Sequence, residues 1–153
     1  MLLILILASM IYGFWLILTP RWSFTVTTNK TDYALGEDVR ITVTLKNTGL
    51  IPQSMTSPVA DPVMLWIEFA SAPGAYAWFS DVHKNLATFT IAPGQALTRV
   101  FIWNQTWWDK TNYPGAYFVQ AAIPEPSLDD VNTVTIGYGR QFYAYSEINI
   151  TAT

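Results

Sequence analysis

Hydrophobic and polar positions obey two different rules along this chain. From Met1 to Thr19, MLLILILASMIYGFWLILT, there is no charged side chain, and the small or polar interruptions are Ala8, Ser9 and Gly13. As a helix rising about 1.5 Å per residue, such a run is roughly 27 Å long, close to the hydrocarbon thickness of about 30 Å. It predicts a transmembrane anchor helix over residues 1–20, ended by Pro20, with Arg21 and Trp22 as the charged and aromatic pair at the headgroup boundary. A removable secretory signal would instead show a basic leading region, a shorter apolar core and a small-residue exit, and none of these is present. Ser9 and Gly13 share one small-xxx-small spacing, which reads as an ordinary interruption of an apolar helix.

Beyond Trp22 the period becomes two, the signature of half-buried strands. In DVRITVTLK, Val39, Ile41, Val43 and Leu45 point one way while Arg40, Thr42, Thr44 and Lys46 point the other. VMLWIEF repeats the pattern, with Val63, Leu65, Ile67 and Phe69 inward and Met64, Trp66 and Glu68 on the opposite face. Weaker runs begin at Ser23, Ala87, Leu97, Ala116, Asn132 and Ala144, making about eight strands. Gly- and Pro-bearing turns separate them: ALGED at Ala34, NTG at Asn47, APG at Ala72 and Ala92, and YPG at Tyr113. GYGR at Gly137 to Arg140 reads as a further turn. No helical stripe of useful length follows the anchor, and no repeat period stands out. The expectation is an all-β fold: an antiparallel β-sandwich over residues 23–153 behind one N-terminal helix.

Two stretches carry a resemblance. NKTDYALGEDVRITVTLKNTG is similar to the opening strands of immunoglobulin-like extracellular modules, and implies an immunoglobulin-like sandwich. TFTIAPGQALTRVFIWNQ followed by YPGAYFVQAAI resembles the intracellular proteinase inhibitor domain of bacilli, through Pro93 and Gly94, Trp103, then Pro114, Gly115 and Tyr117. That second resemblance implies protease inhibition as an alternative role. The anchor and the Thr/Asn/Tyr-rich composition also resemble archaeal surface and filament-associated proteins, which implies a filament subunit as another.

Composition narrows the classes of function. A chain of 153 residues holds one domain and a short appendage. A net charge of −3 without a Lys/Arg cluster offers no field for phosphates, so nucleic acid is not an expected partner. Without cysteine there is no disulfide, thiolate metal site or thiol nucleophile. Arg21 on the trailing flank favours a cytoplasmic domain, but three acceptor sequons, at Asn29, Asn104 and Asn149, tip the orientation outward as glycosylation sites.

Candidate chemistry is sparse. His83, with Asp81 two residues before it, lacks an identifiable third ligand and reads as a solvated loop histidine. The acidic residues Glu125, Asp129 and Asp130, and the pair Glu37 and Asp38, read as solvated turns and not as a calcium loop. No nucleophile motif recommends any serine, so neither an enzyme nor a metal or other cofactor is expected. The aromatics remain, at 15% of the chain. Most must be core, Trp103 among them. NQTWWDKTNYPGAY is the exception, because adjacent Trp107 and Trp108 point in different directions and cannot both enter one core. This loop is a lid on the sandwich edge, a protein contact, or a support on lipid or sugar. Its candidate binding residues are Trp107, Trp108, Asp109 and Tyr113, joined by Tyr143 and Tyr145 on the face opposite Ile148 and Ile150. The expected partners are membrane lipid through residues 1–20 and another membrane or envelope protein, with self-assembly as a further outcome.

Overall fold

The computed structural model describes residues 21–59, 61–80, 84–107, 110–111, 113–126 and 136–152, together with Ile4, Ser9, Gly13 and Thr19. The predicted anchor over residues 1–20 falls outside them apart from those four positions, as do Asp81, His83, Asp129 and Asp130 entirely. Among the described residues no helix is long and apolar enough to cross a membrane.

Alternation becomes strands wherever it is written. The elements are β1 (Trp22–Thr28), β2 (Asp32–Ala34), β3 (Val39–Asn47), β4 (Gln53–Val59), β5 (Met64–Phe69), β6 (Tyr76–Phe79), β7 (Lys84–Ile91), β8 (Ala96–Trp103), β9 (Thr106–Trp107), β10 (Lys110–Thr111), β11 (Gly115–Pro126) and β12 (Ile136–Thr151). One sheet has the order β1-β3-β8; the other runs β2-β12-β11-β5-β6. All these pairs are antiparallel except β2 with β12. The antiparallel pair β4-β7 and the hairpin β9-β10 are two-stranded pieces hydrogen-bonded to neither sheet. The two larger sheets form a β-sandwich in which β1, β3 and β8 take the places of strands A, B and E, and β12, β11, β5 and β6 those of G, F, C and C′ in immunoglobulin-like domains.

The inward residues of both sheets supply the core. Val39, Ile41 and Val43 of β3 meet Leu65 and Ile67 of β5, Tyr117 and Val119 of β11, and Ile148 and Ile150 of β12, with Trp103 fully buried among them. A second cluster forms around Leu45, Met55, Ile91 and Ile123, edged by Trp22, Phe24 and Phe142. Large aromatics carry this chain because each buries roughly 150–250 Å² of surface, and there is no disulfide to assist.

Two buried amides pin the ends. At one, Asn47 Nδ2 donates to the Ile51 carbonyl at 2.8 Å and the Ile91 carbonyl at 2.9 Å, while its Oδ1 accepts the Gly49 N–H at 2.9 Å. At the other, Gln105 Nε2 donates to the carbonyls of Ala34 (2.9 Å) and Glu37 (2.7 Å), and Oε1 accepts the Gly36 N–H at 2.8 Å. Gln105 does this from a left-handed backbone, φ 57°.

Several expectations are corrected. GYGR is not a turn: Gly137 to Arg140 lie inside β12, so the end of the run beginning at Asn132 and the run beginning at Ala144 belong to one long strand from Ile136 onward, while residues 132–135 lie outside the described residues. The glycines are tolerated because pairing with β11 is irregular there, with register shifts on either side of Pro124, and bulges relax the demand for a packed side chain. The strands number more than eight, since β2, β4, β6, β9 and β10 are too short or too weakly alternating to be read alone. Trp66, on the outer face as its parity requires, is nevertheless buried, because Tyr143 lies against it with ring centroids 6.1 Å apart.

Candidate functional site

Outward-facing residues of the three central strands of the larger sheet gather into one surface. Since Ile148 and Ile150 turn inward, Tyr143, Tyr145 and Glu147 turn outward on β12. On β11, Tyr117, Val119 and Ala121 enter the core and leave Phe118 and Gln120 on the outer side; on β5, Leu65 and Ile67 do the same for Trp66 and Glu68. Register then aligns them in rows: Glu147 opposite Phe118 opposite Glu68, and Tyr145 opposite Gln120 opposite Trp66.

A polar relay fixes this surface. The Tyr143 hydroxyl donates to Gln120 Oε1, Gln120 Nε2 donates to Glu68 Oε2, and Glu68 Oε1 accepts the N–H of Gly74 in the β5–β6 turn. Gly74 supplies that turn from φ 86°, a conformation that costs glycine nothing. The rings surround the relay. Phe118 and Tyr145 meet edge to face at 85° with centroids 6.1 Å apart, and Tyr143 and Tyr145 lie 6.4 Å apart at 31°. Together they line an open groove of about 470 Å³. Tyr143 is 44% and Tyr145 63% exposed, too much aromatic surface on two neighbouring residues to be explained by packing within the sandwich.

The tryptophan-bearing loop is a different surface with a rigid base. Gln105 pins its start, and Asn104 Oδ1 accepts the Thr106 N–H at 3.2 Å. Its end is tied by the Tyr117 hydroxyl, which donates to the Tyr113 carbonyl. A tyrosine near the start of the F-equivalent strand reaching a few residues back is the tyrosine corner of immunoglobulin-like sandwiches. Between these ties, β9 and β10 pair as a small hairpin, Trp107 opposite Lys110, where the sequence had suggested only a turn. Trp108 and Asp109 lie outside the described residues, while Tyr113 is 76% exposed. Tyr145 stands opposite Gln120, about 17 Å along β11 from Gly115 where the loop ends. The structure therefore joins Tyr143 and Tyr145 into one surface and leaves Tyr113 on another. Trp66, Glu68, Phe118, Gln120 and Glu147 were not singled out as site residues. For Trp66 and Glu68 the strand parity already read from VMLWIEF placed them outward, and the same count applied to AYFVQAAI would have added Phe118 and Gln120.

Burial pushes the Tyr117 hydroxyl above its usual pKa of 10. The fold thus favours the neutral phenol, so its contribution is complete below pH 10 and is lost as pH rises through the higher folded value. Tyr117→Phe should cost about 1 kcal/mol at pH 7. Above pH 10 the variant should lose stability less steeply than the parent, and equal alkaline slopes in urea unfolding would assign the effect to other tyrosines.

The sequons are all at exposed asparagines. Asn29 Oδ1 already accepts the Tyr33 hydroxyl at 2.8 Å and the Arg40 N–H at 3.1 Å. Asn149 lies on the outer face of β12, its N–H given to the Thr31 carbonyl at 2.8 Å. Among the described residues no three His, Cys, Asp or Glu side chains gather as metal ligands.

No protein-family model matches the chain, and no curated protein matches it either. Solved structures do. A β-glucosidase from Erythrobacter marinus is similar over 86% of this chain at 16% identity, with a TM-score of 0.50, and the chain spans only 16% of that enzyme's length. The CARDB domain of a Pyrococcus furiosus protein, solved with di-metal ions, is similar over 88% of this chain and 96% of its own at 15% identity, with a TM-score of 0.46. At such identity the likeness to the glucosidase segment is one of fold alone; by its own strand order the described chain is an immunoglobulin-like β-sandwich.

Proposed function

We propose that this chain is a membrane-anchored, externally displayed binding module that contacts another envelope protein or serves as a small accessory subunit of a membrane complex. The helix over residues 1–20 fixes its location in lipid, and the sandwich holds shape. The observation that carries the reading is the exposed aromatic face of β12, where a polar relay holds Tyr143 and the rings of Tyr143 and Phe118 hold Tyr145. Exposed aromatics with polar neighbours are the side chains that dominate protein contacts, since they offer large area at little entropic cost. The tryptophan loop, tied at both ends, adds a second contact region.

Photocrosslinking in native membranes tests it. A photoreactive residue at position 145, and separately at 113, is expected to join the chain to another membrane or envelope protein. If neither position yields a protein adduct while the domain remains folded and resistant to limited proteolysis, the reading fails.

A further inference from the structure

The outer face of β12, β11 and β5 carries negative charge that no described cation balances. Glu147 and Glu68 flank Phe118 in one row. The ion pairs among the described residues join Lys30 to Glu37 and Arg99 to Asp61, and neither reaches the groove. The hydrogen bonds that Glu68 accepts from Gly74 and Gln120 aim its carboxylate without neutralising it. Phe118 stands nearly perpendicular to Tyr145, so the rings form a corner with two walls. Aromatic faces are the negative end of the ring quadrupole, and a corner of them with a carboxylate on either side concentrates negative potential in the groove.

We infer that this groove receives the guanidinium of an arginine presented by a partner protein. The inference rests on the reading of the chain as a protein-binding module and names what that module recognises. A guanidinium is planar and weakly hydrated, so it stacks on the exposed Tyr145 ring while its N–H fork engages the Glu147 carboxylate. A lysine ammonium, compact and strongly hydrated, exploits the ring and the fork less well. A sugar is the poorer occupant because it is neutral and gains little from the carboxylates of Glu147 and Glu68, which no ion pair among the described residues balances. The net charge of −3 draws the same kind of partner from a distance.

The test is calorimetric titration of the full chain in lipid nanodiscs with three probes: a capped Gly-Arg-Gly-Arg-Gly peptide, the same peptide with citrulline for arginine, and cellohexaose. The arginine peptide should bind at least about tenfold tighter than its neutral citrulline counterpart, and more weakly as salt is raised. Glu147→Gln and Tyr145→Ala, both at exposed positions, should each weaken it about fivefold or more without moving the thermal midpoint. Equal affinity for the citrulline peptide, indifference to Glu147→Gln, no binding of the arginine peptide, or saturable binding of cellohexaose alone would each overturn the inference. Crosslinking to an envelope protein, which reads contact whatever its chemistry, would still stand or fall separately.

Discussion

Replacing Gln105 by leucine is expected to lower the unfolding free energy by roughly 3 kcal/mol, a drop of about 6–12 °C in thermal midpoint for a chain of this size. Leucine fills similar space but offers no amide. The Glu37 carbonyl loses the Gln105 donor, the Gly36 N–H loses its acceptor, and the Ala34 carbonyl keeps only the Glu37 N–H at 3.0 Å. Each buried group left without a partner costs about 1–3 kcal/mol, and water reaches the exposed Gly36 side, which is why the sum stays near the lower end. Backbone and side chain can be separated. Gln105→Gly also removes the amide but relieves the left-handed strain of about 1–2 kcal/mol, so it should be less destabilising than leucine. If both variants unfold at the parental urea midpoint, the pin between the β2–β3 turn and the start of the tryptophan loop contributes nothing.

At the opposite end, Asn47→Ala should also cost roughly 3 kcal/mol, because it strands the Ile51 and Ile91 carbonyls and the Gly49 N–H together. Aspartate is the sharper probe. An ionised carboxylate at 47 would accept the Gly49 N–H but set its other oxygen against two carbonyl oxygens, so Asn47→Asp should be worse than alanine at neutral pH. On acidification the carboxyl gains a proton to donate and the deficit should shrink. A pH-independent difference between the two variants would show that Asn47 is not donating to both carbonyls. Space reinforces the point: a Cβ at Gly49 would come within 3.2 Å of Asn47 Oδ1, so the NTG turn is closed around that amide.

These pins bear on function because they stabilise surfaces from beneath. Gln105 and Tyr117 hold the two ends of the tryptophan loop, and the relay from Tyr143 through Gln120 to Glu68 holds the aromatic groove. Binding residues fixed before a partner arrives lose less conformational freedom on contact, so more of their interaction energy remains as affinity.

Much of this was written in the chain itself. Period-two alternation placed Val39, Ile41, Val43 and Leu45 in the core and Tyr143 and Tyr145 outside it, because successive side chains on a strand must take opposite faces whatever the fold. Trp103 followed the same parity into the interior. The glycine- and proline-bearing turns also marked most strand ends, since special backbone angles are a local demand. Where glycine sits in an irregular ladder that demand vanishes, and GYGR was misread as a turn because only its pairing with β11 shows the bulge. Parity alone could not say that Glu147, Phe118 and Glu68 share a row, that a tyrosine would cover Trp66, or that Gln105 and Asn47 would be buried and satisfied. Those facts join residues tens of positions apart through strand register, and register is set by the packing of two sheets against each other, not by any local stretch of sequence.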